Sequence, residues 1–320
     1  MAEKINALST TQQKGLASQK PKFSVFMKQE NIQNLVQQAV GKNAQRFTAS
    51  IISAVSNNPA LSECDQGSIL SAAILGESLN LSPSPQLGQY YMVPYKDKNR
   101  GTVAQFQLGY KGYIQLAIRT GQYKKLNVLA IKKGELIRHD PLSEDLFVQL
   151  IQDEEEREKA ETVGYYAMFE YVNGFRKAIY WSKQKMLKHA DTYSQAFSKD
   201  GETVKTKFGT KEKVSYADYL AGKYDPNDAW LYSSFWYKNF DDMAFKTMLR
   251  HLISRWGIMS IEMQTAFLSD NAIINESGEP SYVETGYEDG PIEEPDLGNP
   301  EDEVTQAEKD DFDFFAQNNA

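Results

Sequence analysis

The chain lacks several features that define common classes of protein. It holds a single cysteine, Cys64, so no disulfide can form within it, and this is typical of a reducing compartment. Its apolar runs are too short to cross a bilayer, and its first residues lack the apolar core of a secretory signal. We therefore expect a cytoplasmic protein that does not bind a membrane.

Catalytic and cofactor motifs are absent as well. Gly41-Lys42 and Gly222-Lys223 lack the spacing and the hydroxyl residue of an ATP-binding phosphate loop. The three histidines are far apart in the sequence, and one cysteine cannot complete a zinc site. We predict a protein that is not an enzyme and has no metal or cofactor. Asp241-Asp242 keeps a metal-dependent nuclease open as an alternative, although acids at the start of a helix also stabilise its dipole.

Charge is divided unevenly along the 320 residues, whose formal net charge is −8. Residues 269–320 hold 16 of the 43 acidic residues and only Lys309 among the 35 basic ones, which leaves residues 1–268 with +7. An acidic segment poor in apolar residues cannot bury enough surface to offset its chain entropy. We predict three parts: a mobile lead-in (1–22), a single folded domain (23–268) and a disordered acidic tail (269–320).

Cations and aromatic residues are concentrated in residues 89–133. This stretch has nine Lys or Arg residues and one acid, Asp97, with Tyr and Phe between the cations. A basic, aromatic surface in an acidic protein indicates a nucleic-acid site. Core packing is the commoner role of any single ring, and a solvated face is the alternative for any single cation. A second stretch, 171–190, holds five cations and no acid.

Periodicity and turn signals predict an α+β fold. Helices are expected at 31–40, 43–56, 67–79, 111–120, 182–193, 260–268 and, as one long helix, over much of 226–256. Strands are expected at 90–95 and 102–108 as a hairpin, at 126–131 and 146–152, and at 163–171 and 175–181 around Asn173-Gly174. The polar stretch 198–224 is expected to be a loop.

Several sequence blocks resemble one known family. The run QFQLGYKGYIQLA (105–117), followed by Arg119 and the Thr120-Gly121-Gln122 turn, is similar to the signature of the RecT family of phage recombinases. Upstream residues 87–95 and downstream residues 240–250 and 260–264 match further blocks in the same order. The similarity covers roughly residues 30–268.

The resemblance implies ATP-independent annealing of complementary DNA strands in phage recombination. It also implies a ring or helical filament of identical subunits and a Red beta-like fold, in which a small antiparallel sheet and a hairpin pack with helices. Single-stranded DNA and the annealed duplex intermediate are the expected partners, with a phage 5′→3′ exonuclease and a host single-strand-binding protein as further candidates. A protective single-strand-binding protein that does not anneal is the main alternative.

An annealing protein must hold phosphates and leave base edges free, so its affinity should come from cations. We predict that phosphate contacts are made by cations on the 111–120 helix, the 226–256 helix and the hairpin turn, and that two tyrosines shape the groove. The predicted DNA-binding residues are Lys96, Lys98, Arg100, Tyr110, Lys111, Tyr113, Arg119, Lys246 and Arg250.

Overall fold

The computed structural model describes residues 21–97, 100–194, 196–206, 209–275 and 278–281. The predicted lead-in falls almost wholly outside these residues, and the first described helix begins at Phe23. The helices are α1 (Phe23–Phe26), α2 (Glu30–Val40), α3 (Ala44–Ser56), α4 (Gln66–Ser78), α5 (Tyr110–Arg119), α6 (Glu154–Lys159), α7 (Lys183–Tyr193), α8 (Tyr216–Leu220), α9 (Phe235–Lys238), α10 (Phe240–Trp256) and α11 (Ile261–Ser269).

All strand pairs in the described residues are antiparallel. The strands are β1 (Tyr90–Asp97), β2 (Gly101–Leu108), β3 (Tyr123–Lys132), β4 (Leu136–Asp140), β5 (Asp145–Val148), β6 (Thr162–Tyr171), β7 (Arg176–Ser182), β8 (Glu202–Thr206), β9 (Gly209–Lys213), β10 (Ile273–Ile274) and β11 (Pro280–Ser281). The β1–β2 hairpin and the three-stranded sheet β3-β6-β7 are the larger units. The predicted α+β class is confirmed, with small antiparallel sheets and several helices.

The buried helix α4 supports the β1–β2 hairpin. Asp65 begins the helix by accepting the Ser68 backbone N–H at 2.9 Å, and the Ser68 hydroxyl accepts the Ala104 N–H of β2 at 2.8 Å. Gly76 leaves room for the Tyr90 ring, which a Cβ at this position would overlap. The hairpin is therefore packed firmly against α4 at its base.

Helix α10 joins two apolar cores. Leu249 and Ile253 belong to the core formed by α1–α5, the β1–β2 hairpin and α11. Met248 and Leu252 belong to the core between the β3-β6-β7 sheet, α7 and the aromatic segment 216–240. All four side chains are completely buried, so the middle turns of α10 are anchored in both cores.

Two predicted elements differ from the structure. The expected loop 198–224 contains the β8–β9 hairpin and α8, and the expected long helix is split into a 3-10 turn (Pro226–Tyr232), α9 and α10. Tertiary hydrogen bonds explain the split: the Tyr232 hydroxyl accepts the Val214 N–H at 2.9 Å, and the Tyr237 hydroxyl accepts the Ser198 N–H at 3.0 Å. A continuous helix over 226–256 would not place both tyrosine rings against residues 198–214.

The fold continues past residue 268, where the acidic tail was predicted to begin. Helix α11 ends at Ser269, and the strands β10 and β11 follow it. Ala272 and Asn271 exchange backbone hydrogen bonds with Phe106 of β2, both at 2.9 Å. The predicted boundary was therefore too early, because these residues pair with the hairpin. Residues 282–320, the rest of the predicted tail, lie outside the described residues.

Candidate nucleic-acid interface

Helix α5 begins in close contact with the loop before β1. A Cβ at Gly109 would overlap the Gly88 carbonyl, and one at Gly112 would overlap the Gln89 carbonyl. Only glycine permits this approach, and it brings the first turn of α5 against the loop. That turn contains Lys111 and no acidic residue, so a side-chain cation lies beside the positive end of the helix dipole.

Lys111 is exposed at the edge of a shallow crevice. Its Nζ lies 5.8 Å from the centre of the Tyr110 ring. The other residues that line the crevice are Gln86, Leu87, Gln89, Ile114 and Gln115, which include no acid. An open, uncharged surface with a mobile ammonium group at its rim can hold a phosphate of an extended strand.

A second, smaller crevice adjoins the other side of Tyr110. Tyr91 and Phe235 face each other across it with ring centres 5.7 Å apart, and Asp242 lies on its rim. Burial and then the Asp242 charge raise the pKa values of Tyr91 and Tyr110. The same carboxylate repels phosphate, and the Lys246 ammonium group that also lines this crevice is already paired with Asp270. The second crevice is therefore less favourable for phosphate than the first.

Arg119 occupies the opposite end of α5 and caps another helix. Its Nη1 donates to the Leu79 carbonyl and its Nη2 to the Asn80 carbonyl, both at 2.6 Å. These carbonyls follow the last turn of α4, where a cation is favourable to the helix dipole. The predicted phosphate-binding arginine is thus used to join α5 to α4, although its side chain stays exposed at the surface.

Lys246 is buried and Arg250 is only partly exposed, and both of these predicted phosphate-binding residues are paired with Asp270. Lys246 is 8% exposed, and its Nζ donates to Asp270 at 2.9 Å. Arg250 donates through Nη1 to the second oxygen of Asp270 at 2.8 Å and to the Tyr113 hydroxyl at 3.2 Å. The burial of Lys246 gives no support to the predicted phosphate contact, because its ammonium group already neutralises a completely buried carboxylate.

The Asp270 carboxylate is the centre of this buried network. Besides the two cations, it accepts the Leu108 N–H and the Tyr113 hydroxyl, each at 2.9 Å. Burial alone would raise the pKa of Asp270, but the Lys246 and Arg250 charges hold it below its usual range. Burial, followed by the Asp270 charge, raises the pKa of Tyr113. The network therefore joins α5, β2 and α10 to the segment after α11.

Tyr113 belongs to this interior rather than to a groove. Its side chain is completely buried and packs edge-on against Phe267, with ring centres 4.9 Å apart. Tyr110, the other tyrosine predicted to shape the groove, is partly exposed and packs against Phe245 at 5.7 Å. Tyr110 is the one of the two that can contact a ligand from the surface.

The hairpin turn retains two exposed cations in the described residues. Lys96 is exposed on β1, and Arg100 is exposed beside it, with its Nη2 donating to the Ser281 hydroxyl at 3.3 Å. Lys98 lies outside the described residues. The structure therefore places Lys111 near the Tyr110 ring, each lining one of two crevices, whereas Lys246, Arg250 and Tyr113 are joined in the network around buried Asp270.

Sequence reasoning missed Asp270, which it assigned to the tail. A signal was present, since two cations four residues apart on a helix with an apolar stripe require an anionic partner if they are buried. Within the described ranges, no group of three or more His, Cys, Asp or Glu side chains could hold a metal ion. None of the helices described is both long enough and apolar enough to span a membrane.

Comparison with known proteins gives a consistent result. A sequence model described as the RecT family matches residues 45–284. The uncharacterized protein YqaK of Bacillus subtilis (strain 168) is 38% identical over 235 residues, which cover 73% of this chain and 67% of that protein. Protein RecT of Escherichia coli (strain K12) is 33% identical over 95 residues, which cover 29% of this chain and 35% of that protein.

Proposed function

The chain belongs to the RecT family, and from this premise we propose that it binds single-stranded DNA and anneals complementary strands without ATP. In this proposal it acts in recombination in the bacterial cytoplasm, as an oligomer of identical subunits, and is not a catalyst. The family match over residues 45–284 is the observation that carries the proposal. A phage 5′→3′ exonuclease and a host single-strand-binding protein are its proposed partners.

The α5 crevice supports this function physically. Lys111 is exposed on the first helical turn, beside a crevice without carboxylates, whereas Asp242 marks the neighbouring crevice as unfavourable for phosphate. A strand held through its phosphates at Lys111 keeps its base edges available for a second strand. Lys96, Lys98 and Arg100 are proposed to contact phosphates further along the same strand. Arg119 can contact a phosphate only if its guanidinium group leaves the Leu79 and Asn80 carbonyls at the end of α4.

Annealing is tested by mixing two complementary labelled oligonucleotides with the protein, without nucleotide or metal, and following energy transfer between the labels. We expect pairing to be faster than without protein. Slower pairing, with both strands still bound, would instead identify a protective coating protein. Cleavage that stops when metal is chelated would identify a nuclease.

The contact at Lys111 is tested by salt dependence. Lys111→Ala should weaken binding of any sequence and reduce the slope of log K against log salt by about 0.7, as expected for one contact to a single strand. Lys159→Ala removes the same charge from α6, where the side chain is 80% exposed, and should leave the slope unchanged. An unchanged slope for Lys111→Ala would remove this residue from the DNA-binding surface.

A further inference from the structure

Four aromatic rings meet where α7 packs beside β7 and α10. The Tyr193 ring lies 4.6 Å from His189, His189 lies 5.4 Å from Trp181, and Trp181 lies 4.7 Å from His251. The two imidazole centres are 5.6 Å apart. The rings therefore form a continuous series from the interior of the fold to its surface, which we call the α7 ring series.

The outer end of the series is open to solvent. Tyr193 is 76% exposed, whereas Met186, Leu187 and Ala190 on the same helix are buried in the second core. Lys185, His189 and Tyr193 follow one another at intervals of four residues, which places them along one face of α7. This face presents a large ring to solvent that the described fold does not cover.

The charges that act on the series are positive. The Lys185 ammonium group lies 4.6 Å from the centre of the Trp181 ring. Burial is the main cause that lowers the pKa values of His189 and His251 to about 4. His251 and Lys185 also lower the pKa of His189, and the Arg255, Arg250 and Lys185 charges also lower that of His251. Both imidazoles are therefore neutral at pH 7. They are uncharged flat rings among cations.

Flat rings beside exposed cations are the combination that binds unpaired nucleotides. Bases stack on aromatic side chains regardless of sequence, and cations beside them hold the connecting phosphates. Lys185, Lys188 and Arg255 are all exposed around the ring series. An acidic peptide would use the cations alone and would gain little from a series of rings that reaches the surface.

We propose that the α7 ring series is a second binding surface for single-stranded nucleic acid, on which Tyr193 stacks a base while Lys185 and Arg255 contact its phosphates. The proposal rests on the function proposed above, since the ligand is the same class of polymer. It adds a site on the other side of α10 from Lys111. Helix α10 contributes to both regions, with Arg250 directed to Tyr113 and the next residue, His251, directed to Trp181.

The test compares a thymidine oligonucleotide with one of equal length that carries abasic sites, on the full chain. Tyr193→Ala should lower affinity for the thymidine strand by at least about fivefold, the lower end of what one stacked base contributes. The same variant should bind the abasic strand as the wild type does. Because Tyr193 is 76% exposed and its ring contacts only the partly buried His189 among the rings of the series, its loss should change stability by no more than about 0.5 kcal/mol.

Tyr193→Phe is the matched control, since it keeps the ring and should bind both strands like the wild type. Trp230→Ala removes another ring that is 54% exposed, outside the series, and should also have no effect. If the ratio of affinities for the thymidine and abasic strands is the same for Tyr193→Ala as for the wild type, the proposal is overturned. If it binds DNA more tightly, the surface holds an acidic segment of this chain, and the proposal is equally overturned.

These outcomes are separate from those for the proposed function. A wild type that binds neither strand would refute the proposed function itself. If the wild type binds and anneals DNA and Tyr193→Ala has the same affinity as the wild type for both strands, only the second surface is refuted. Tyr193→Ala should also retain the wild-type salt slope, whereas Lys111→Ala should not.

Discussion

Replacing the buried Asp270 by asparagine should destabilise the protein more than a change from carboxylate to amide at an exposed position. The carboxylate is completely buried and pairs with Lys246, whose side chain is 10% exposed, and with Arg250, whose side chain is 31% exposed. Without Asp270, the Lys246 ammonium group is left buried and uncompensated. Breaking a buried pair by removing one partner costs about 3–5 kcal/mol.

The total loss of stability should stay within that range, although Asp270 pairs with two cations rather than one. Arg250 is open enough for water to solvate part of its guanidinium group, so its loss of a partner is screened and adds little. In a domain of this size, 1 kcal/mol shifts the unfolding midpoint by roughly 2–4 °C. Asp270→Asn should therefore unfold at a temperature roughly 6–20 °C lower than the wild type.

Thermal and urea unfolding followed by far-ultraviolet circular dichroism measure this change. Glu279→Gln is the matched control, since it is an exposed carboxylate in the same segment and should shift stability by no more than about 0.5 kcal/mol. Adding Lys246→Met to Asp270→Asn removes the stranded charge and should recover at least about 1 kcal/mol. A loss below about 1 kcal/mol for Asp270→Asn, or a double variant no more stable than the single one, would refute the reasoning.

Three further predictions concern stability and binding. Gly112→Ala places a methyl group against the Gln89 carbonyl and should cost about 1–3 kcal/mol in urea unfolding. Gly67→Ala on α4 should cost less, because its methyl group would meet the Asp65 side chain at 3.2 Å and no backbone atom. The pKa of Asp270 is lower in the folded than in the unfolded state, so its contribution to the free energy of unfolding is present above about pH 4 and is lost as pH falls through the folded-state pKa. Melting temperatures measured over a pH series should show this loss, and Asp270→Asn should reduce the pH dependence. The Lys246→Met, Asp270→Asn double variant, if folded, should keep the wild-type salt slope for DNA binding, and a slope lower by about 0.7 would restore Lys246 as a phosphate contact.

Much of the fold could be predicted because its signals are local. Asn173-Gly174 predicted the β6–β7 turn, which the structure confirms with Gly174 at φ +88. Helices were expected to begin at Ser182 and Ser260, and each of these serines accepts a backbone N–H three residues on, as the N-cap of α7 or α11. In each case the signal and the structure it specifies lie within a few residues of one another.

The candidate site was only partly predictable from the same sequence. The charge pattern and the 105–117 run led to Lys111 and to the RecT family, and the structure leaves Lys111 exposed on the face of α5 opposite its buried residues. The pattern could not separate Lys111 from Lys246, since both are lysines beside an apolar stripe. Composition counts charges, but burial decides whether those charges are available to a ligand.

By itself the sequence determined the family, the fold class and most helices and strands of this protein, because these follow from periodicity, turn residues and motif order. Only the tertiary structure decided that Asp270 is paired with Lys246 and Arg250 and that Tyr113 lies beneath them. The partners are separated by 24, 20 and 157 positions along the chain. Electrostatic pairing depends on distance in space, and no local pattern of residues encodes that distance.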